Sequence, residues 1–188
     1  LKKERYNDER AIKKGNSLML KKVIKEAFPT VLAFTMSGMY SIVDGIFVGK
    51  AAGDTGLAAI NIAWPIPALI TALGIGIGTG GSVLYSHYRG RGEQKVCENL
   101  FELTMTLLIG TGILATILLS LVQKPFLEIL GAAGSVQTEA IKYTAIIIAG
   151  SILQVAGTGI MPLLRNMNQS LGAMLSMAAG FAVNILVN

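Results

Sequence analysis

The sequence predicts an all-α fold, a polytopic bundle of transmembrane helices, and three observations carry that prediction. Apolar residues make up 52% of the 188 residues and charged residues only 14%, against about 25% charged in an ordinary soluble domain. The mean hydropathy is +0.59. The charges are also segregated, leaving uncharged runs that meet the length of about 20 mostly apolar residues needed to cross a bilayer. In hydrocarbon every backbone N–H and C=O has to be paired within the protein, so such runs are helices unless strands close into a barrel. Barrel strands would be short and alternating, whereas these runs are continuous and rich in Leu, Ile, Ala and Gly.

About five spans follow in order. The first, Ala27–Val48, carries one charge, Asp44, and has Pro29 near its start, where a missing N–H is tolerated. Lys50–Thr55 is a loop with the turn formers Gly53 and Asp54. The second span, Leu57–Ser86, is uncharged. Its Trp64 suits a membrane interface, and Pro65 and Pro67 are expected to bend it or delay its regular start. Within it, Gly76, Gly78 and Gly81 formally match G-x-G-x-x-G, but a phosphate loop needs a strand before it and a helix after it. Lying inside a span, the glycines read better as close-approach positions for a neighbouring helix, in the i,i+4 pairs Gly74/Gly78 and Gly76/Gly80. The third span is Leu103–Val122. The fourth, Ala140–Leu164, has only Lys142 near its start, and the fifth, Leu171–Asn188, is uncharged.

Loop charge orients these spans. Nine of the 16 basic residues precede Ala27, namely Lys2, Lys3, Arg5, Arg10, Lys13, Lys14, Lys21, Lys22 and Lys25, which marks a cytoplasmic N-terminus. The loop at Lys50 and Asp54 is neutral and expected outside. The loop with Arg89, Arg91 and Lys95 is expected inside, that from Lys124 to Glu139 outside, and that at Arg165 inside. Residues 1–26 therefore form a basic cytoplasmic segment, either a short amphipathic helix on the membrane surface or a solvated tail, and residues 27–188 form the bundle. The expected location is the inner membrane, multi-pass. The start at Leu1 and the end within an apolar run lead us to expect a fragment, truncated in its fifth helix.

Several function classes have no support. The net charge of +5 is clustered at the N-terminus, so nucleic acid is not an expected partner. The single cysteine, Cys97, allows no disulfide framework or cysteine metal site. His87, the one histidine, lies in a polar loop without partners. With no nucleophile elbow, zinc pattern or Walker sequence, neither an enzyme nor a bound cofactor is expected.

The polar residues inside the spans carry the functional reading. A carboxylate at mid-membrane costs about 2.5–3.5 kcal/mol on insertion scales, so such a group faces a cavity or a partner. Ser37, Tyr40, Ser41 and Asp44 share one helix face and resemble the lining of a pathway. A carboxyl held there can take up and release a proton, or hold Na⁺ with neighbouring oxygens. The alternative is that Asp44 lies near the outer end of its helix and meets water or Lys50. Ser151, Gln154 and Thr158 form a second stripe, and Gly180, Asn184 and Asn188 a third. These read equally as substrate or ion contacts and as hydrogen bonds across helix contacts. Asn61 is a further candidate for a cavity lining. Met36, Met39, Met161, Met174 and Met177 fit either an adaptable pocket or ordinary contacts.

The segments Tyr40-Ser-Ile-Val-Asp-Gly-Ile-Phe-Val-Gly49 and Gly56-Leu-Ala-Ala-Ile-Asn-Ile-Ala-Trp-Pro-Ile66 resemble the first two helices of the multidrug and toxic compound extrusion (MATE) family. The loops Arg89–Glu93 and Arg165-Asn-Met-Asn-Gln169 fit its short cytoplasmic connections, and Gly180-Phe-Ala-Val-Asn-Ile-Leu-Val-Asn188 is similar to its fifth helix. The resemblance implies two six-helix lobes that export amphipathic or cationic drugs by alternating access in exchange for H⁺ or Na⁺. This chain would supply about five helices of the first lobe, with the C-terminal lobe of the same polypeptide as its partner and the lipid bilayer as its surroundings. It assigns ion coupling to Asp44 and to the positions of Asn184 and Asn188. Many members carry Asp where this chain has Asn188, a departure that removes one carboxylate from a proton network. Two other readings stand beside this one. A flippase of lipid-linked precursors from the same superfamily would be expected to use a basic cavity, and a non-transporting scaffold would need no intramembrane acid.

Overall fold

The computed structural model describes residues 19–21, 23–25, 27–32, 34–36, 38–39, 49–50, 53–167 and 169–187, the last segment without the side chains of 181 and 184–187. The chain divides into two compact units, one of Leu1–Tyr40 with Ser170–Val187 and one built on Ser41–Gln169. Among its described residues the larger unit carries the helices that we number α1 (Pro65–Gly90), α2 (Gln94–Ile129), α3 (Gly134–Ala149) and α4 (Ser151–Asn166). Residues 53–63 are also helical and lead into α1 through a turn at Trp64.

In the smaller unit, the described residues within 19–39 are helical, and α5 spans Ser170–Val187. Met19, Leu20, Val23 and Ile24 are exposed on helical backbone beside Lys21 and Lys25, an amphipathic pattern. Half of the first span, including all of 40–48, lies outside the described residues.

The second span is helical from Leu57, is interrupted by a turn at Trp64, and resumes as α1 with proline at the first helical position, Pro65. A missing N–H costs nothing there, because that donor has no partner within the helix. Of the two effects expected of the prolines, a delayed start is therefore not what occurs: the helix is broken at Trp64, which stands 64% exposed at the junction. The third span extends well past its uncharged window. Helix α2 has 36 residues, about 54 Å at 1.5 Å per residue, against a hydrocarbon thickness of about 30 Å.

The fourth span departs from expectation. It is not one straight helix: α3 and α4 meet at Gly150 with a bend of 58°. A single hydropathic run concealed the break, because hydropathy does not register backbone direction. Among the described residues, α1 and α2 are each long and apolar enough to cross a membrane, and the bent α3–α4 pair makes a third if it is one broken span rather than a re-entrant loop.

Tight turns join these helices. After α1 the N–H of Glu93 bonds to the carbonyl of Tyr88 at 3.1 Å, with Gly92 at φ 76°. This six-to-one closure needs a left-handed residue, which glycine adopts without a Cβ penalty. The α2–α3 turn repeats it, with Ala132 N–H on Leu127 O at 3.0 Å and Gly131 at φ 92°.

Helix α1 forms the centre. Its buried residues Ile66, Ile70, Gly74, Gly78, Ser82 and Tyr85 make one stripe, met by Val155, Gly159 and Leu163 on α4. A Cβ on Gly78 would stand 2.6 Å from the Gly159 Cα, and one on Gly159 would stand 2.8 Å from the Gly74 carbonyl oxygen. The two backbones therefore touch. On α2, Gly112 makes a similar approach, with the Ile152 Cα 2.8 Å from where its Cβ would lie. Of the two glycine pairs singled out in the sequence, only Gly74/Gly78 forms the contact. Gly76 and Gly80 face open space with nothing within 4 Å, because a helix turns only one of its i,i+4 rows toward a given neighbour.

Replacing Gly78 by Leu forces a side chain into the α4 backbone, and overpacking of this kind costs about 1–3 kcal/mol. The same change at Gly76 is expected to stay within about 0.5 kcal/mol. Unfolding of the two variants in detergent, followed by circular dichroism, checks this; equal destabilisation would contradict the backbone contact.

Candidate functional site

Intramembrane polar side chains and one apolar groove form the candidate site. Gln154, half-buried on α4, donates from Nε2 to Thr71 Oγ1 on α1 at 2.9 Å. One turn further, Thr158 donates its hydroxyl to the Gln154 carbonyl at 2.8 Å and lies against Gly74. The α1–α4 contact thus brings Gln154, Thr158 and Thr71 together. Ser151 points elsewhere. Its hydroxyl is 2.6 Å from that of Thr116 on α2 and donates to Gly112 O at 3.4 Å. The stripe of three polar residues on α4 is therefore shared between two neighbours.

A second polar tie joins α2 to α3. Gln123 Nε2 donates to Ile141 O at 2.7 Å and to Thr144 Oγ1 at 2.6 Å, and Thr144 in turn donates to Ala140 O at 2.7 Å. Among the described residues no buried side-chain nitrogen or oxygen lacks a hydrogen-bond partner. That is what a low-dielectric interior demands, since an unpaired polar group there is costly.

The groove runs along the start of α1, lined by Trp64, Pro67, Ala68, Thr71, Ala72 and Ile75, with a volume of about 380 Å³. These positions repeat at three- and four-residue steps and so lie on one helix face. Thr71 supplies a hydroxyl to this wall, the same one that accepts from Gln154. An apolar wall with few polar groups is the usual make-up of a small-molecule site.

The other sequence candidates fall as follows. Asn61 is exposed, and its Nδ2 donates to Leu57 O at 3.0 Å in its own helix. Ser37, Tyr40, Ser41, Asp44 and Asn188 lie outside the described residues, and Asn184 is placed on α5 by its backbone alone. Thr71, Thr116 and Gln123 were not among the candidates, yet they hold the polar contacts between helices. Thr71 and Thr116 carried a signal, each being a polar residue flanked by apolar ones, whereas Gln123 stands beside Lys124 at the end of its span, and only a structure pairs any of the three.

Both basic loops lie at one end of the larger unit. Arg89 donates from Nη1 to Asn166 O at 3.3 Å, and Asn166 Nδ2 donates to Ser82 O at 3.1 Å. These bonds bring the end of α4, beside Arg165, to the end of α1, beside Arg91.

The MatE family model matches residues 29–188. Among solved structures, a crystal structure of MATE in complex with MaD3S is 26% identical, over 87% of this chain and 37% of that one, with a TM-score of 0.82. MATE in the bent conformation is also 26% identical, over 87% and 36% of the two chains, with a TM-score of 0.80. A MOP superfamily transporter from Pyrococcus furiosus Vc1, whose reversed binding-pocket polarity suggests a different function for it, is 24% identical. It aligns over 87% and 36% with a TM-score of 0.77, a likeness of fold alone. The chain spans 36–37% of the length of these structures. No curated protein matches it.

A double-mutant cycle on Thr71→Val and Gln154→Leu is expected to give a coupling energy of about 0.6–2 kcal/mol, the range for hydrogen bonds between membrane helices. Unfolding titrations of the four proteins measure it, and strict additivity would mean that the bond contributes nothing.

Proposed function

Because this chain belongs to the MatE family, we propose that it supplies part of one lobe of a secondary transporter. That transporter exports amphipathic or cationic drugs in exchange for H⁺ or Na⁺ by alternating access. The observation that carries the reading is the α1 groove. It offers an apolar wall of about 380 Å³ with the Thr71 hydroxyl tied to Gln154, a surface that suits varied apolar bodies better than one fixed ligand. Gln154 reaches it through Thr71, Thr158 is bonded to the Gln154 carbonyl one turn further on, and Asn61 precedes it on the chain. In this reading Asp44 is the coupling carboxylate, with Ser37, Tyr40 and Ser41 on its face and Asn184 and Asn188 contributing neutral polar groups.

The flippase reading fares less well. A cavity for a pyrophosphate headgroup calls for cationic side chains, and among the described residues no Arg or Lys lines the groove. The scaffold reading leaves Asp44 without a use, although an acid inside a span is costly. The isolated chain is expected not to transport, because a one-sided wall needs the second lobe to close a cavity.

Drug efflux from cells expressing the full-length protein, under imposed Na⁺ or pH gradients, tests this. Asp44→Asn is expected to lower gradient-driven efflux by at least about tenfold, corresponding to the loss of one ionisable group in the membrane. The gradient that drives efflux names the ion. Unchanged efflux in the variant would reduce Asp44 to a structural role, and no efflux from either protein would remove the export reading.

A further inference from the structure

A second cavity lies away from the groove, at the end of the larger unit that carries the basic loops. It holds about 230 Å³ between the end of α1, the first turns of α2 and the residue after α4. Tyr85, Cys97, Phe101 and Met167 give it apolar walls, and Glu98 and Glu102, one turn apart on α2, put two carboxylates on its rim. Tyr85 and Cys97 are buried, and the Cys97 thiol donates to Tyr85 O at 3.7 Å, which closes the floor. Gln94 also lines the cavity and donates from Nε2 to Glu98 Oε1 at 3.4 Å. Neither carboxylate has an ion-pair partner among the described residues.

We propose that this cavity is a peripheral binding site for a monovalent organic cation bearing an aromatic or aliphatic body. The charge pattern selects the ligand. Arg89 at the end of α1, Arg91 in the turn and Lys95 at the start of α2 stand beside the cavity in the chain, yet none of them lines it. Arg89 is turned to the Asn166 carbonyl instead. Among the described residues the lining therefore carries two carboxylates and no cationic side chain. Aromatic faces attract weakly hydrated cations, and the Met167 thioether adapts to an apolar body. A divalent metal is a poor fit, because Ca²⁺ takes six to eight oxygen ligands and the walls between the two carboxylates are carbon and sulfur. A small inorganic cation would lose water to those same walls without replacement. At about 230 Å³ the site admits an ammonium head and one ring rather than a whole drug-sized molecule, whose pockets run to about 300–1,000 Å³.

The inference rests on the transport reading for its purpose, as a waiting site outside the central pathway, but its geometry is independent of that reading. The test is photolabelling of the full-length protein in membranes with 4-azidobenzyltrimethylammonium, followed by peptide mapping. The uncharged tert-butyl analogue serves as a control for partitioning into lipid. The cation is expected to label the segment 85–102, and Glu98→Gln/Glu102→Gln to reduce that labelling about tenfold, as loss of a cation's counter-charge does. Phe101→Ala, which leaves the charge intact, is expected to reduce it as well. Equal labelling by the uncharged analogue, or labelling unaffected by the Glu substitutions in a variant with unchanged unfolding temperature, overturns the proposal. Efflux measured on the same proteins separates the two ideas. Labelling without efflux sustains the site and removes the transport reading, whereas efflux without labelling removes the site alone.

Discussion

The larger unit depends on the place where α1 and α4 touch backbone to backbone. In water, two helices are driven together by burying apolar surface. In lipid that gain is absent, because the tails are as apolar as leucine, and association rests on close van der Waals contact and on hydrogen bonds between helices. Gly74, Gly78 and Gly159 meet this constraint by leaving no Cβ of their own at the closest approach. Leu108 of α2 then packs against the open side of Gly159, so a third helix is held by the same small patch. Each further contact is laid out by this one, because fixing α4 against α1 sets which of its faces remains for α2.

The polar side chains divide along those faces. Gln154 and Thr158 sit on the α1 side, Ser151 on the α2 side. Every such bond satisfies donors that hydrocarbon would leave unpaired, which makes each one both a tie and a constraint on rotation of the helices. The bend of 58° at Gly150 serves the same end. It lets α3 lie along α2, where Gln123 reaches Ile141 and Thr144, while α4 turns to α1. One apolar run thereby serves two sets of neighbours.

The excess length of α2 has a local consequence. A helix of 36 residues is longer than the hydrocarbon is thick, so its ends stand in the headgroup layers or beyond. At the basic end the extra turns carry Gln94, Glu98 and Glu102 past the uncharged window and set them beside Tyr85 and Met167. There the requirement for neutral walls relaxes, and carboxylates line a cavity as they could not at mid-membrane. The α1 groove, by contrast, is walled by carbon with the Thr71 hydroxyl held in a hydrogen bond.

The sequence by itself determined that the chain is a helical, multi-pass membrane protein of the MatE family, because hydropathy and local motifs act over a few turns and need no partner to be read. It also located the prolines that start α1 and the Gly74/Gly78 row. Tertiary structure decided what depends on neighbours. Gly74/Gly78 rather than Gly76/Gly80 meets α4, since both rows are equivalent until a second helix chooses one. The fourth span breaks at Gly150, since hydropathy is blind to direction. Thr71 joins Gln154 across 83 residues, and the carboxylates of α2 meet Tyr85 and Met167, pairings that exist only once helices distant in sequence are packed side by side.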